Sequence, residues 1–366
     1  MGSVTGWALP MHPGTAMPSV SSLYADALAA FLRDRGLDRT RPGLQPAGFD
    51  KSFDKSPARR VVGRAYAQTM IAAVRDLGDS ALGLEFGTRV GGGGFGLLGI
   101  AAATAPTLRG TIAHLTSHES LTSTLGRARL RQEGNTVQIE WHPAQGVAPA
   151  VIEGILSGWV SFGRHLLGEK VDVQQVSFAH RRIAPMHAYE SAFECPVRFD
   201  CTGYGVAISA DLLDAQPRFA DAALNASLSG WLGHCAAAIA PGRGDWMRKV
   251  ALQLGSQLQF ADADEQTVAE VLGVGRRTLQ RRLRHEGSSF RRLLEAARAQ
   301  HAIIGLLRAQ PSLTDLCTEV GFDEQSSLCR AFRKWTGYAP LEFRSRMSGV
   351  FCQLRPAEIN SAAGLQ

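Results

Sequence analysis

The fold of this chain is decided by two stretches near its end. The first is Val268-Ala269-Glu270-Val271-Leu272-Gly273, a short turn, then Arg276-Arg277-Thr278-Leu279-Gln280-Arg281-Arg282-Leu283-Arg284. The second is Leu316-Cys317-Thr318-Glu319-Val320-Gly321-Phe322, then Gln325-Ser326-Ser327-Leu328-Cys329-Arg330-Ala331-Phe332. Each reads as a short helix, a glycine hinge and a second short helix, the helix-turn-helix pattern that lays its second helix in a DNA major groove. Two such units on one chain predict contacts in two successive major grooves.

Between the units, Phe290, Leu293, Leu294, Ala297, Ile304 and Leu307 recur at helical spacing. A helix from about Phe290 to Arg308 would span roughly 28 Å at ~1.5 Å per residue. One turn of DNA is roughly 34 Å, so a rigid helix of this length holds two reading heads about one turn apart. Pro311 stops it and Ser312 is placed to cap the next helix. In the first unit, Val268, Ala269 and Leu272 supply the buried face and Gly273 the turn. Gly275 stands at the N-cap of the second helix, and Leu279 and Leu283 pin that helix to its core. Arg277, Gln280, Arg281 and Arg284 then face outward. Arginine pairs with guanine and glutamine with adenine, each through two hydrogen bonds.

Charge supports the same reading. Residues 243–347 carry 17 Lys and Arg against 12 Asp and Glu, whereas the rest of the chain carries 22 against 21. Nearly all the excess positive charge lies where phosphate contact would require it.

Upstream, helical spacing covers Ser21–Arg35, Arg60–Leu77, Leu108–Leu125, Pro149–Leu167 and Ala220–Ala240. Residues 36–58 read as a connection. Arg127–Gln132 and Thr136–His142 alternate apolar and polar residues around Glu133-Gly134-Asn135, a hairpin signal, and Val171–Phe178 and Tyr204–Ser209 read as further strands. Runs of helices and strands without strict alternation predict an α+β domain with a small, mostly antiparallel sheet. The expected division is a loose Gly/Pro-rich N-terminus over 1–18, a sensing and dimerising domain over 19–240, an all-α domain of two helix-turn-helix units joined by a linker helix over 241–350, and a tail over 351–366. Pro241-Gly242-Arg243-Gly244 marks the boundary.

Six scattered cysteines form no C-x-x-C pair, which predicts reduced thiols in a cytosolic setting. No secretory signal and no apolar run long enough to span a membrane is expected. The run Gly91–Gly94 invites a nucleotide-loop reading, but no Lys-Ser/Thr follows it, so close packing or backbone flexibility is the better account. His114 and His118 stand four apart on an expected helix without further ligands at a fitting spacing, so no metal site is assigned. No catalytic constellation stands out and no cofactor is expected.

The second unit resembles the C-terminal signature of the AraC/XylS family of bacterial transcription regulators. The resemblance rests on Gly321-Phe322, Ser326, Arg330-Ala331-Phe332, Gly337, Pro340 and Phe343-Arg344, and in the first unit on Thr278-Leu279-Gln280-Arg281-Arg282-Leu283. Leu328 departs from the usual Phe and Cys317 from the usual Ala; both stay apolar. The resemblance implies that Arg277, Gln280 and Arg281 read bases in the first unit and Gln325, Ser326, Ser327 and Arg330 in the second. Arg330 carries a competing reading as a fold or phosphate contact, and for Arg282 that reading is preferred. Phe95-Gly96-Leu97-Leu98-Gly99 with Ala105-Pro106-Thr107-Leu108, Val176-Ser177-Phe178-Ala179-His180, and Tyr189, Phe193 and Cys195-Pro196-Val197-Arg198-Phe199 are similar to the sensor domain of the family's arabinose-binding-domain subgroup, which includes regulators like that of ornithine utilisation. Glu194 stands where Gly is common there. The resemblance implies a cytoplasmic bacterial homodimer that binds double-stranded DNA, touches RNA polymerase and responds to a small-molecule effector, more often as an activator. Two rivals are a ligand-independent regulator whose N-terminal domain only dimerises or docks a partner protein, and a DNA-repair enzyme fused to this module. The latter needs a cysteine cluster holding a metal-bound methyl acceptor, and the sequence offers none.

Overall fold

The computed structural model describes residues 18–37, 60–168, 171–239, 245–256, 260, 263–308 and 312–351. The expected loose segment before Pro18, most of the 36–58 connection, the Pro241–Gly244 boundary, Pro311 and the tail beyond Phe351 lie outside these residues.

The N-terminal half is α+β. Its first sheet is one pairing, β1 (Ser19–Ser21) against β2 (Arg60–Val62). The helical spacing from Arg60 is therefore interrupted at its start, and α2 begins at Gly63 and runs to Leu77. The cause is local. The Arg60 guanidinium donates to the Ser19 carbonyl at 2.9 Å and the Ser120 carbonyl at 2.8 Å, which holds Arg60–Val62 extended. The second sheet has the order β3 (Gly126–Glu133), β4 (Thr136–Pro143), β7 (Tyr204–Ser209), β5 (Val173–Ser177), β6 (Val197–Arg198). Every pairing is antiparallel except β5 with β6. The β3–β4 register places Leu130 opposite Ile139 and Glu133 opposite Thr136, so the hairpin closes over Gly134-Asn135 as its sequence predicts.

Helices α1 (Ser22–Asp34), α3 (Leu82–Gly94), α4 (Leu97–Thr104), α5 (Leu108–Ser117), α6 (Pro149–Leu167), α7 (Met186–Phe193) and α8 (Ala222–Ile239) complete this half. Helices α3, α4 and α7 have no counterpart in the sequence reading. Helix α4 is buried along its whole length, so it shows no amphipathic stripe to read. Helix α5 stops at Ser117, short of the expected Leu125, and a 3-10 turn follows over Glu119–Leu121. Helices α3 and α6 cross closely because Gly83 and Gly87 lie against Ala150, Gly154 and Ser157; a Cβ on either glycine would collide with that backbone or with the Ser157 hydroxyl.

One buried carboxyl sits in this core. Glu153 of α6 is fully buried, and the Tyr189 hydroxyl of α7 donates to it. Tyr189 in turn accepts the Ile183 and Ala184 amides, each at 3.3 Å. Burial pushes the Glu153 carboxyl up to about 8. Its folded value thus lies above its unfolded one. The stabilisation it contributes is complete below the ordinary carboxylate range and is lost as pH rises toward about 8. Glu153→Gln is expected to flatten this slope, so that the variant gains on the parent between pH 6 and pH 9 in thermal melts. Parallel melting curves against pH would show that Glu153 does not carry the dependence.

The C-terminal half is all helical: α9 (Asp245–Ser256), α10 (Glu265–Val271), α11 (Arg276–His285), α12 (Phe290–Arg308), α13 (Leu313–Val320), α14 (Gln325–Thr336) and α15 (Pro340–Phe351). Its two units do not share one core. The first closes on Val250, Leu254, Val268, Ala269, Leu279 and Leu283, with Phe290 and Leu293 from the start of α12. The second closes on Leu316, Leu328, Phe332, Trp335 and Phe343, and that cluster continues without a break into Ile100 of α4, Phe162 of α6 and Leu228 of α8. Polar contacts follow the same seam. The Tyr338 hydroxyl donates to Asp221, and His165 Nε2 meets the Gly349 carbonyl oxygen at 2.9 Å.

Helix α12 joins the two cores. Its expected apolar stripe is buried or half-buried, but Ala299, Ala302, Ile303 and Leu306 are buried as well. A helix packed against two clusters on different sides needs more than one stripe.

Candidate nucleic-acid interface and sensor cavity

The first recognition helix is α11. Asp264 caps α10 by accepting from the Gln266 amide at 2.6 Å and the Thr267 amide at 3.0 Å. Gly273 turns the chain at φ +68°, a conformation that favours glycine. Gly275 is the N-cap of α11, as its sequence position predicts. Leu279 and Leu283 are fully buried, which fixes the rotation of the helix. Arg277, Arg281 and Arg284 are exposed as a result, and none of the three makes an ion pair among the described residues. Gln280 differs. It is half-buried, and its amide donates to Glu265 Oε2 at 2.7 Å, beside the Arg276–Glu265 ion pair at 2.9 Å. The sequence pattern puts Gln280 on the outward face but does not reveal this acidic neighbour, which comes from α10.

Arg282 turns inward. Its guanidinium lies over the Trp246 ring at 4.1 Å, and Lys249 stands 4.6 Å from the same ring. The Glu286 carboxylate accepts from the Trp246 and Met247 amides at 3.0 and 2.7 Å, which caps α9. Helix α9 is absent from the sequence reading, although Trp246 and Glu286 are what lock it to α11.

The second recognition helix is α14. Ser312 caps α13, accepting from the Asp315 amide at 3.1 Å, and Gly321 ends α13 in the left-handed conformation. Leu328 and Cys317 are buried, so both departures from the family pattern fill apolar sites. Gln325, Ser326 and Arg330 are exposed and Ser327 half-buried. The Gln325 amide donates to Thr314 Oγ1 at 2.7 Å, Ser326 to Glu324 at 3.0 Å and Arg330 to Ser327 Oγ at 3.1 Å. These are short-range surface bonds, and Arg330 therefore does not anchor the core. A base edge could replace each of them. Lys334 instead pairs with Glu295 of α12 at 2.7 Å, and the Trp335 indole N–H donates to the same carboxylate at 3.3 Å.

A second feature lies in the N-terminal half. Between α4, α5, α6 and the inner face of the larger sheet is a cavity of about 120 Å³. Its walls include Phe95, Leu98, Trp141 and Trp159, with Glu119 and Thr122 among its few polar groups. Phe95 packs edge-on to Phe162 with centroids 5.3 Å apart. Phe95 and Leu98 also border a smaller recess of about 10 Å³ that Gln300 of α12 lines as well. The glycine run explains the close fit. Gly91 kinks α3 at φ +53°, Gly92 lies against Phe162 and Val350 of α15, and Gly96 against Leu23 and Ile304 of α12. This is the close packing expected of the run. Cavity walls escape a sequence reading because apolar residues lining a void are the same types as those filling a core.

His114 meets the Asn225 side chain, and among the described residues no group of three or more ligating side chains could hold a metal. No described helix is long and apolar enough to cross a membrane.

Comparison with known proteins gives two family matches. Residues 36–217 match the N-terminal arabinose-binding domain of AraC transcription regulators, and residues 268–346 match a helix-turn-helix domain family. The chain is 25% identical over 330 residues to the ornithine utilization regulator of Pseudomonas aeruginosa, covering 88% of this chain and 95% of that one. It is 26% identical over 318 residues to the HTH-type transcriptional regulator VirS of Mycobacterium tuberculosis, covering 83% and 92%. Among solved structures, the transcriptional regulator CdpR from Pseudomonas aeruginosa is similar at 21% identity and a TM-score of 0.45, covering 88% of this chain and 98% of that one.

Proposed function

This chain belongs to the AraC family of transcription regulators and is a sequence-specific DNA-binding regulator; from that premise we propose that its N-terminal half senses a small effector and its C-terminal half answers by changing its grip on DNA. One observation carries the reading. The Phe95–Leu98 wall of the cavity also packs toward α12, the helix that joins the two units. A ligand that binds one arrangement of this wall better than another shifts the balance between arrangements of the reading heads. Couplings of this kind are typically about 1–3 kcal/mol, or roughly 5- to 150-fold in affinity. In this reading residues 19–240 sense and dimerise and residues 241–350 bind DNA. The active species is a homodimer in the bacterial cytoplasm that touches RNA polymerase, by likeness to the family. The similar proteins named above are regulators, which supports a role without catalysis.

The base readers are Arg277, Gln280, Arg281 and Arg284 on α11, and Gln325, Ser326, Ser327 and Arg330 on α14. Arg281→Ala is expected to cost about 1–3 kcal/mol on the specific site and to relax preference at one base pair. Gln280→Ala should fall at the low end of that range, because Gln280 must give up its bond to Glu265 to reach a base. Binding to a panel of operator variants checks both. Base preference unchanged in both variants would remove Gln280 and Arg281 from direct readout.

The effector response is tested by operator affinity of the full chain across a metabolite panel. An affinity indifferent to every compound, in a chain that still footprints, would reduce the N-terminal half to a dimerising or docking role.

A further inference from the structure

We propose that the cavity beside Phe95 binds a small, predominantly apolar molecule carrying a single hydrogen-bond-donating head, a hydroxyl, ring N–H or amine, which Glu119 and Thr122 recognise. The proposal rests on the effector-sensing reading above and gives that effector a chemical class.

The walls argue first. They are made mostly of aliphatic and aromatic side chains, including both Trp141 and Trp159. No Lys, Arg or His lines the cavity among the described residues. A carboxylate or phosphate would enter without a cation to replace its water, which strongly disfavours it. A sugar fares no better, because most of the wall hydroxyls are already engaged. Thr111 donates to the Ala102 carbonyl at 2.8 Å and Thr116 to the Ile112 carbonyl at 2.9 Å, while Ser123 accepts the Leu125 amide at 3.1 Å.

Two polar groups remain to meet a ligand. Thr122 is 7% exposed, and its hydroxyl has no hydrogen-bond partner among the described residues. A buried orphan of this kind is destabilising, and a ligand head that bonds to it recovers the loss. Glu119 accepts the Ala128 amide through Oε2 at 2.6 Å, leaving Oε1 as an acceptor for the ligand. Burial pushes the Glu119 carboxyl up to about 7, and an ammonium or other donor seated on Oε1 favours its ionised form. An ionised Glu119 accepts and the Thr122 hydroxyl does either, so a donor head on an apolar body satisfies both.

The structure also supplies a blocking variant. Gly163 of α6 lines the cavity, and a Cβ there meets nothing within 4 Å. Gly163→Leu therefore starts from open space at the cavity wall and adds bulk there, and it removes a mid-helix glycine.

The experiment uses the full chain. Melting temperature and tryptophan fluorescence are followed on titration with indole, phenethylamine, phenylacetate and arabinose. Indole and phenethylamine should each raise the melting temperature by mass action, and phenethylamine, which does not emit with tryptophan, should also perturb the tryptophan emission; phenylacetate and arabinose should do neither. Gly163→Leu should melt no lower than the parent and lose both responses. Thr122→Val should weaken both ligands at least threefold. Glu119→Gln should weaken phenethylamine at least tenfold and indole much less, which separates an amine head from a neutral one. Silence with both donors, a response to phenylacetate or arabinose, or retention of binding by Gly163→Leu would each overturn the assignment. Operator affinity measured alongside keeps the two claims apart. Donor binding that leaves operator affinity unchanged upholds the cavity and sinks the effector reading. A carboxylate or sugar that shifts operator affinity upholds the effector reading and sinks this ligand class.

Discussion

Ala297→Pro is expected to abolish two-site DNA binding by the full chain. Ala297 lies in the middle of α12, where that helix passes from the first unit's core to the second's. Proline removes the amide that bonds to the carbonyl four residues back and sets its ring against that carbonyl, a cost of roughly 3 kcal/mol or more. The loss goes beyond local helicity. Phe290 and Leu293 belong to one cluster and Ala302, Ile303 and Leu306 to the other, so a kink between them changes the spacing and the rotation of the reading heads together. Ala297→Gly is the control, because it costs only about 1 kcal/mol and keeps the amide. Footprinting should show protection shrinking to one half-site or vanishing in the proline variant, and both half-sites retained in the glycine one. Two intact half-sites in the proline variant would mean that α12 is not the spacer.

Trp335→Ala should be felt on both sides of the seam. Trp335 is 1% exposed and sits in the cluster that α14 shares with α4, α6 and α8. Removing a buried indole typically costs about 3–5 kcal/mol, a large part of the roughly 5–15 kcal/mol that holds a domain folded. Its loss also frees Glu295 of one of two partners, the other being Lys334. Because the cluster is continuous, amide exchange should accelerate in α4 and α8 as well as in α13–α15, while α10 and α11, built on their own core, keep their protection. Faster exchange confined to residues 312–351 would show that the second unit folds independently of the N-terminal half.

The glycine at 273, the caps at Gly275 and Ser312, the buried pair Leu279 and Leu283 and the exposed arginines around them were all legible in the chain. Each follows from spacing within one or two helical turns, where the geometry is set by the backbone repeat. The hairpin of β3 and β4 was legible for the same reason, since alternation and a two-residue turn are local signals. Two of the elements that escaped show why. Helix α4 is buried on every side and offers no periodicity. The start of α2 became β2 because Arg60 found carbonyls some sixty residues away.

Sequence alone thus determined that the chain carries two helix-turn-helix units, which helix faces they expose and that the half before them mixes helices with a small sheet. Tertiary structure decided three further things. It placed Glu265 on Gln280 and Trp246 under Arg282, contacts between helices with no fixed sequence separation. It fused the second unit to α4, α6 and α8 while leaving the first on a separate core. It also left a void beside Phe95, walled by residues from distant helices and strands. The physical reason is common to all three. Local patterns record which residues avoid water, but which buried surfaces meet, and where they fail to fill the space between them, is settled only when every element is packed at once.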